Sequence, residues 1–232
     1  MPGRGEVLAP LGAASLWGGM YVVSKWGFAA VPPVTLAFLR VFVGGIALAV
    51  LLRVSTPLRS FSRAEWRSFA ILGVWIAVTL LTQFVGTDLT NASQGSLLTV
   101  LTPVFTLLLG IALLGESLSG RKIGGVALAA VGTVLVLAGQ YDLAAIGAAN
   151  SVGIGALLVA SFGWAAYTVY GAPLVRRYSA LETATYSTLL AMPIMALAAV
   201  VELVSLGSGP GSIPVTSGVV GAVASFPSEW AC

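Results

Sequence analysis

The chain has 232 residues, 58% of them hydrophobic and only 8% charged, and its mean hydropathy is +1.00. A soluble domain carries about 25% charged residues, so this sequence has too little polar surface to cover a water-soluble globule. Histidine is absent and Cys232 is the single cysteine, which excludes an internal disulfide, His-based zinc sites, Ser/His/Asp or Cys/His triads and the Ser/His dyad of intramembrane proteases.

A membrane-spanning helix needs roughly 20 mainly apolar residues. Read in chain order, such stretches run from Leu8 to Phe28, Val34 to Leu52, Ser68 to Gly86, Ala92 to Gly115, Ile123 to Gly139, Val152 to Ala172 and Thr183 to Val204. An eighth opens near Val215 and stops at Phe226. Between them, Pro32-Pro33, Asp88 with Asn91, Gly115 to Lys122, Gln140 to Asn150, Pro173 to Glu182 and Ser205 to Pro214 have loop chemistry. Barrel strands would alternate apolar and polar residues, and a stretch such as Leu107 to Leu114 does not. The expected fold is all-α: a polytopic transmembrane helical bundle.

The basic residues set an orientation. Arg4 precedes the first span; Arg53, Arg59, Arg63 and Arg67 lie between spans two and three; Arg121 and Lys122 follow span four; Arg176 and Arg177 follow span six. With alternating spans all of these fall on one side, so the net charge of +3 reads as a cytoplasmic face with a cytoplasmic N-terminus, not as a nucleic-acid surface. The alternative for residues 1–30 is a secretory signal, with Arg4 ahead of an apolar run and Ala29-Ala30 after it. The basic loops agree best when this span is retained.

The sequence also repeats. The run Ala13-Ala14-Ser15-Leu16-Trp17-Gly18-Gly19-Met20-Tyr21 resembles Ala160-Ser161-Phe162-Gly163-Trp164-Ala165-Ala166-Tyr167, and aligning the two tryptophans lays Val34 to Ala47 over Leu181 to Ile194. Five spans separate the copies, an odd number, so the second copy is inverted. Inverted repeats place a substrate site between the halves.

These segments, with Arg40 in span two, Ala92-Ser93-Gln94-Gly95-Ser96-Leu97-Leu98, Pro103-Val104-Phe105-Thr106, Leu114-Gly115-Glu116 before Gly124, and Arg176-Arg177, resemble the EamA-like group of the drug/metabolite transporter superfamily. The resemblance covers residues 8 to 200. It implies ten helices as two inverted five-helix halves, cytoplasmic termini, a bacterial-type plasma membrane, and a central cavity for an amino acid, another metabolite or a drug. On that pattern residues 1–140 form the first repeat, 151–226 an incomplete second repeat, and 227–232 an aberrant tail. About seven to eight of ten spans are then expected. The ending Ser225-Phe226-Pro227-Ser228-Glu229-Trp230-Ala231-Cys232 departs from the pattern and is expected to reflect a truncation or a shifted frame.

Candidate residues follow from the cost of polarity in lipid. Arg40 lies about six residues, roughly 9 Å, below the outer end of span two. An Arg at mid-span costs about 2.5–3.5 kcal/mol, so it is expected to face a wet path or a partner. The alternatives are pairing with Asp88 or helix carbonyls, or snorkelling. Lys25 ends span one on the same side and snorkels. Thr79, Thr82 and Gln83 share a helical face and form a candidate polar lining, while Asn91 and Gln94 either meet solute or satisfy a helix start. Trp17, Tyr21, Trp164 and Tyr167, paired by the repeat, are candidates for the cavity wall or for packing. Pro103 interrupts span four, freeing carbonyls and making a kink that serves gating or packing. Glu116, just before Arg121 and Lys122, reads as a local ion pair or turn constraint, with proton coupling as the alternative. Gly120, Gly124 and Leu128, with Gly125 and Ala129, read as a close-packing row within or between subunits.

The leading function is a secondary transporter of a small solute working by alternating access, with a coupling ion and a homo-oligomer as further possibilities; a non-transporting membrane-inserted relative is second. A membrane enzyme ranks last, because no paired-Asp metal motif or glycine-rich phosphate loop is present. No metal or organic cofactor is expected.

Overall fold

The computed structural model describes residues 4–57, 59–99, 101–115, 117, 119–140 and 151–207. Its helices are α1 (Arg4–Gly27), α2 (Pro33–Ser55), α3 (Arg63–Leu89), α4 (Ala92–Thr99), α5 (Thr102–Leu114), α6 (Gly120–Gln140), α7 (Ser151–Arg177) and α8 (Ala180–Ser205). Each of the seven full-length apolar stretches falls on this series. By length and composition α2, α3, the stretch Ala92–Leu114, α7 and α8 can each cross a membrane. The chain is a multi-pass helical bundle. The expected eighth span, the tail after it and Glu116 lie outside the described residues.

Two boundaries differ from the sequence reading. The fourth span is two helices, not one kinked helix: α4 ends at Thr99, and Pro103 occupies the first turn of α5, where its missing N–H costs nothing. The loop expected from Pro173 to Glu182 is much shorter, because α7 continues through Pro173 to Arg177 and α8 starts at Ala180. Proline is tolerated inside helices that neighbours support, and Pro193 is likewise internal to α8.

Capping explains where the helices begin. Ser62 and Glu65 form a reciprocal capping box at α3, with the Ser62 N–H donating to Glu65 Oε2 at 2.6 Å. Ser179 caps α8, accepting from the Glu182 N–H at 3.0 Å. Helix α2 opens on Pro32-Pro33 with no side-chain cap of its own. Its free donors are met from another helix: Glu202 near the end of α8 accepts the Val34 N–H at 3.0 Å, the Thr35 N–H at 2.7 Å and the Thr35 hydroxyl at 2.8 Å. A carboxylate at a helix N-terminus also meets the positive end of its dipole. Glu202→Ala strands these donors in a half-buried place, which costs about 1–3 kcal/mol, and is expected to lower the melting temperature in detergent. An unchanged melting temperature would refute the assigned role.

These contacts fix the up-and-down order. The end of α7 meets the start of α3 through Arg177 Nη2 and Glu65 Oε1 at 3.1 Å, and the segment before α3 meets the start of α8 through Arg59 Nε and Glu182 Oε1 at 3.8 Å. At the opposite end Lys25, closing α1, donates to the Thr87 carbonyl at 3.2 Å and to the Asp88 carbonyl at the end of α3.

Helix α3 is the central element and packs most extensively on α7 and α8, while α2 packs on α8 and α5 on α7. The main apolar cluster joins α2, α3 and α8 through Ala37, Val41, Ile76, Phe84, Ala191 and Met195. Small residues let the backbones meet. A Cβ at Gly73 would lie 2.9 Å from the Ser187 carbonyl oxygen of α8, and one at Gly163 would lie 2.6 Å from Thr79 Oγ1 of α3. The glycines of the row on α6 behave otherwise: Gly120, Gly124 and Gly125 have nothing within 4 Å of the Cβ position.

Candidate functional site: a cavity beside the divided span

A cavity of about 480 Å³ lies where α1, α3 and α7 face the junction of α4 and α5. Its wall is Trp17, Gly18 and Tyr21 of α1, Thr79 and Gln83 of α3, Ser96 and Thr99 of α4, Thr102 and Pro103 of α5, and Ala160 and Trp164 of α7. No charged residue is among them. The volume falls within the 300–1,000 Å³ usual for small-molecule sites. A second cavity of about 470 Å³ shares Thr102, Pro103 and Trp164 with the first and extends to Leu114 and Lys122, where α5 ends and α6 begins.

A chain of hydrogen bonds orders the polar wall. Gln83 Nε2 donates to the Tyr21 hydroxyl, and Tyr21 donates to Thr99 Oγ1 at 2.8 Å. Thr99 in turn reaches the Ser96 carbonyl at 2.8 Å and the Gly95 carbonyl at 3.2 Å. Those carbonyls only accept, so the direction of every donor upstream follows. Gln83 Oε1 is left without a partner, as is Thr79 Oγ1, although both are buried. The Ser161 hydroxyl lies 3.1 Å from the Leu98 carbonyl, one residue from the end of α4, and steadies the backbone beside the division.

The expected candidates separate into groups. Trp17, Tyr21, Thr79, Gln83, Trp164 and Pro103 meet at the cavity, and the two repeat-related tryptophans touch edge to face with centroids 4.8 Å apart. Tyr167 packs against Trp164 with tilted rings whose centroids are 5.3 Å apart and lies near Ser187, but belongs to a side crevice near Thr183 and Arg176. Asn91 does what a helix start needs, its Oδ1 accepting the Gln94 N–H at 2.9 Å. Gln94 is buried off the cavity with its Oε1 unpaired. Arg40 is not on the wall either: its guanidinium contacts Met20 Sδ and stands 5.9 Å from the Phe84 ring centre. Asp88, one of its expected partners, instead meets Lys25 at 3.8 Å. Lys25 therefore caps the carbonyl end of α3 rather than snorkelling freely. Thr82 turns from the lining to donate to the Val78 carbonyl at 2.7 Å.

Thr99, Ser161 and Glu202 were not singled out from the sequence. Thr99 carries a signal that could have found it, a hydroxyl in an apolar helix four residues before a proline; the role of Glu202 depends on a contact between distant helices. At the basic end, Phe61 nests between Phe69 at 5.2 Å and Tyr186 at 4.9 Å, and Tyr178 donates to Glu65, a bond that lifts the Tyr178 phenol above its usual pKa. Among the described residues no cluster of Cys, Asp and Glu could hold a metal ion.

The EamA-like transporter family matches residues 4–138. The chain belongs to the EamA-like transporter family. Two curated relatives from Archaeoglobus fulgidus, both described as uncharacterized transporters, are 30% and 24% identical over 165 residues, covering 70% and 71% of this chain. Each alignment covers 56% of the relative, so this EamA-like chain spans about half the length of the curated relatives it matches. No solved structure matches it.

Proposed function

We propose that this chain forms the solute-binding part of a secondary transporter that carries a small metabolite, amino acid or drug across a bacterial-type plasma membrane by alternating access. The observation carrying this reading is the cavity itself: an uncharged recess, built from three helices around a divided span, in which the lining residues Thr79 and Gln83 each keep a buried oxygen unpaired. Polar groups kept unpaired in an apolar bundle are costly, and a solute that pairs with them supplies the reason to keep them.

The inverted repeat supports the same reading. Residues related by an inverted repeat touch one another only near the axis relating the halves, as Trp17 and Trp164 do. The same alignment matches Met20 with Tyr167 and Arg40 with Ser187, and each copy places its own two residues together, Arg40 on Met20 and Tyr167 near Ser187. A cavity on such an axis suits two halves that rock against each other. The basic helix ends gathered at one pole of the bundle favour a cytoplasmic N-terminus.

The test is uptake by vesicles containing the purified chain, assayed with a panel of labelled metabolites and drugs. Saturable uptake that Trp164→Ala reduces is the expected result. Flux equal to protein-free vesicles for every solute would leave the second reading, a membrane-inserted relative that does not transport.

A further inference from the structure

We propose that the cavity selects an uncharged, flat-ringed solute that donates a hydrogen bond, with Gln83 Oε1 as the atom that reads the donor. The inference deepens the transport reading and rests on the same cavity, but it concerns binding and can be tested without flux.

The first support is the direction of the hydrogen-bond chain. Side-chain amides are ambiguous in isolation, because their oxygen and nitrogen can be exchanged. Here the exchange is blocked from the far end. Thr99 has one hydroxyl proton, and the Gly95 and Ser96 carbonyls within its reach can only accept. Thr99 therefore offers its lone pairs to Tyr21, which spends its proton there. Tyr21 is left with lone pairs for Gln83, and only the amide nitrogen can answer. Gln83 Oε1 is consequently free at a residue only 3% exposed. An acceptor asks for an N–H or O–H; the hydroxyl of Thr79, one helical turn earlier and also a lining residue, is likewise unpaired.

The second support is the rest of the wall. No lining residue carries charge, and Arg40 is turned onto Met20 and Phe84. A charged solute would leave water for a recess whose wall offers no opposite charge to contact, at a large cost. Trp17 and Trp164, in contact edge to face at 4.8 Å, present aromatic surface on which a flat ring packs.

The test uses four probes titrated calorimetrically into the chain in lipid nanodiscs, with empty nanodiscs subtracted: indole, 1-methylindole, tryptamine and indole-3-acetate. Indole has the ring and the donor; 1-methylindole keeps the ring and loses the donor, with room in a cavity of about 480 Å³ for one methyl group. Indole is expected to bind saturably and about 3- to 10-fold more tightly than 1-methylindole, the worth of one neutral hydrogen bond, and more tightly than either charged probe. Gln83→Leu is expected to abolish the preference for indole over 1-methylindole. Thr99→Val is the sharper variant, because Tyr21 can then donate to Gln83 and let the amide turn; the preference should collapse while the ring still binds. Equal affinity for indole and its methyl derivative, tighter binding of tryptamine or indole-3-acetate, or no saturable binding of any probe would each overturn the proposal. Donor-selective binding without vesicle uptake would sustain it and count against transport alone.

Discussion

Gly73→Leu is expected to remove the folded protein from detergent extracts, with little monodisperse material by size-exclusion chromatography. The reason is what surrounds the missing side chain. A Cβ at Gly73 lies 2.9 Å from the Ser187 carbonyl oxygen and 3.1 Å from both the Ala191 nitrogen and the Leu190 carbonyl carbon. All three are backbone atoms of α8, so no rotamer change can make room. Forcing even small groups into a packed site costs about 1–3 kcal/mol; here helix must part from helix along an interface that also holds Phe69, Ala77 and Met195 near or at zero exposure. Gly45 is the informative control. Its Cβ would meet the Met192 methyl at 2.2 Å and Thr188 Cγ2 at 3.2 Å, and a methionine end can swing away. Gly45→Ala should accumulate nearly as the parent does. If Gly73→Leu accumulates as well and melts at the same temperature, the close α3–α8 crossing is wrong.

The contrast between these glycines shows which information a sequence holds. Helices were legible because lipid imposes one requirement on every span, an apolar run of fixed length. Their ends were less so. Pro173 reads as a stop, yet α7 runs four residues beyond it, since neighbouring helices relieve a lost backbone bond in a way no local rule records. The repeat carried information farther than any local pattern: matching Trp17 to Trp164 brought together residues on α1 and α7 that touch at the cavity. Polarity alone misassigned emphasis. Arg40 is the costliest side chain in its span, but cation–π and thioether contacts hold it off the wall. Thr99 passes for an ordinary helix hydroxyl until Tyr21 is seen to depend on it. Glu202 sits 167 residues from Thr35 in sequence, and only the fold makes them neighbours.

Gln83→Leu should separate stability from function. In the resting chain Gln83 donates one bond to Tyr21 and keeps one oxygen buried without a partner. Losing the bond costs about 0.5–1.5 kcal/mol, while removing an unsatisfied buried oxygen returns about 1–3 kcal/mol. Leucine also fills similar volume in a wall that is largely apolar. The net change in stability is therefore expected near zero or favourable, with the melting temperature held or raised. Solute flux should move the other way, falling at least several-fold, because the atom that pays for its own burial by meeting the solute is gone. A residue kept only for packing gives the opposite signature: lower melting temperature and proportionate loss of flux through lost protein. Measuring both quantities on the same vesicle preparation distinguishes the two, and a Gln83→Leu protein that melts earlier yet transports normally per folded molecule would return Gln83 to the framework of the bundle.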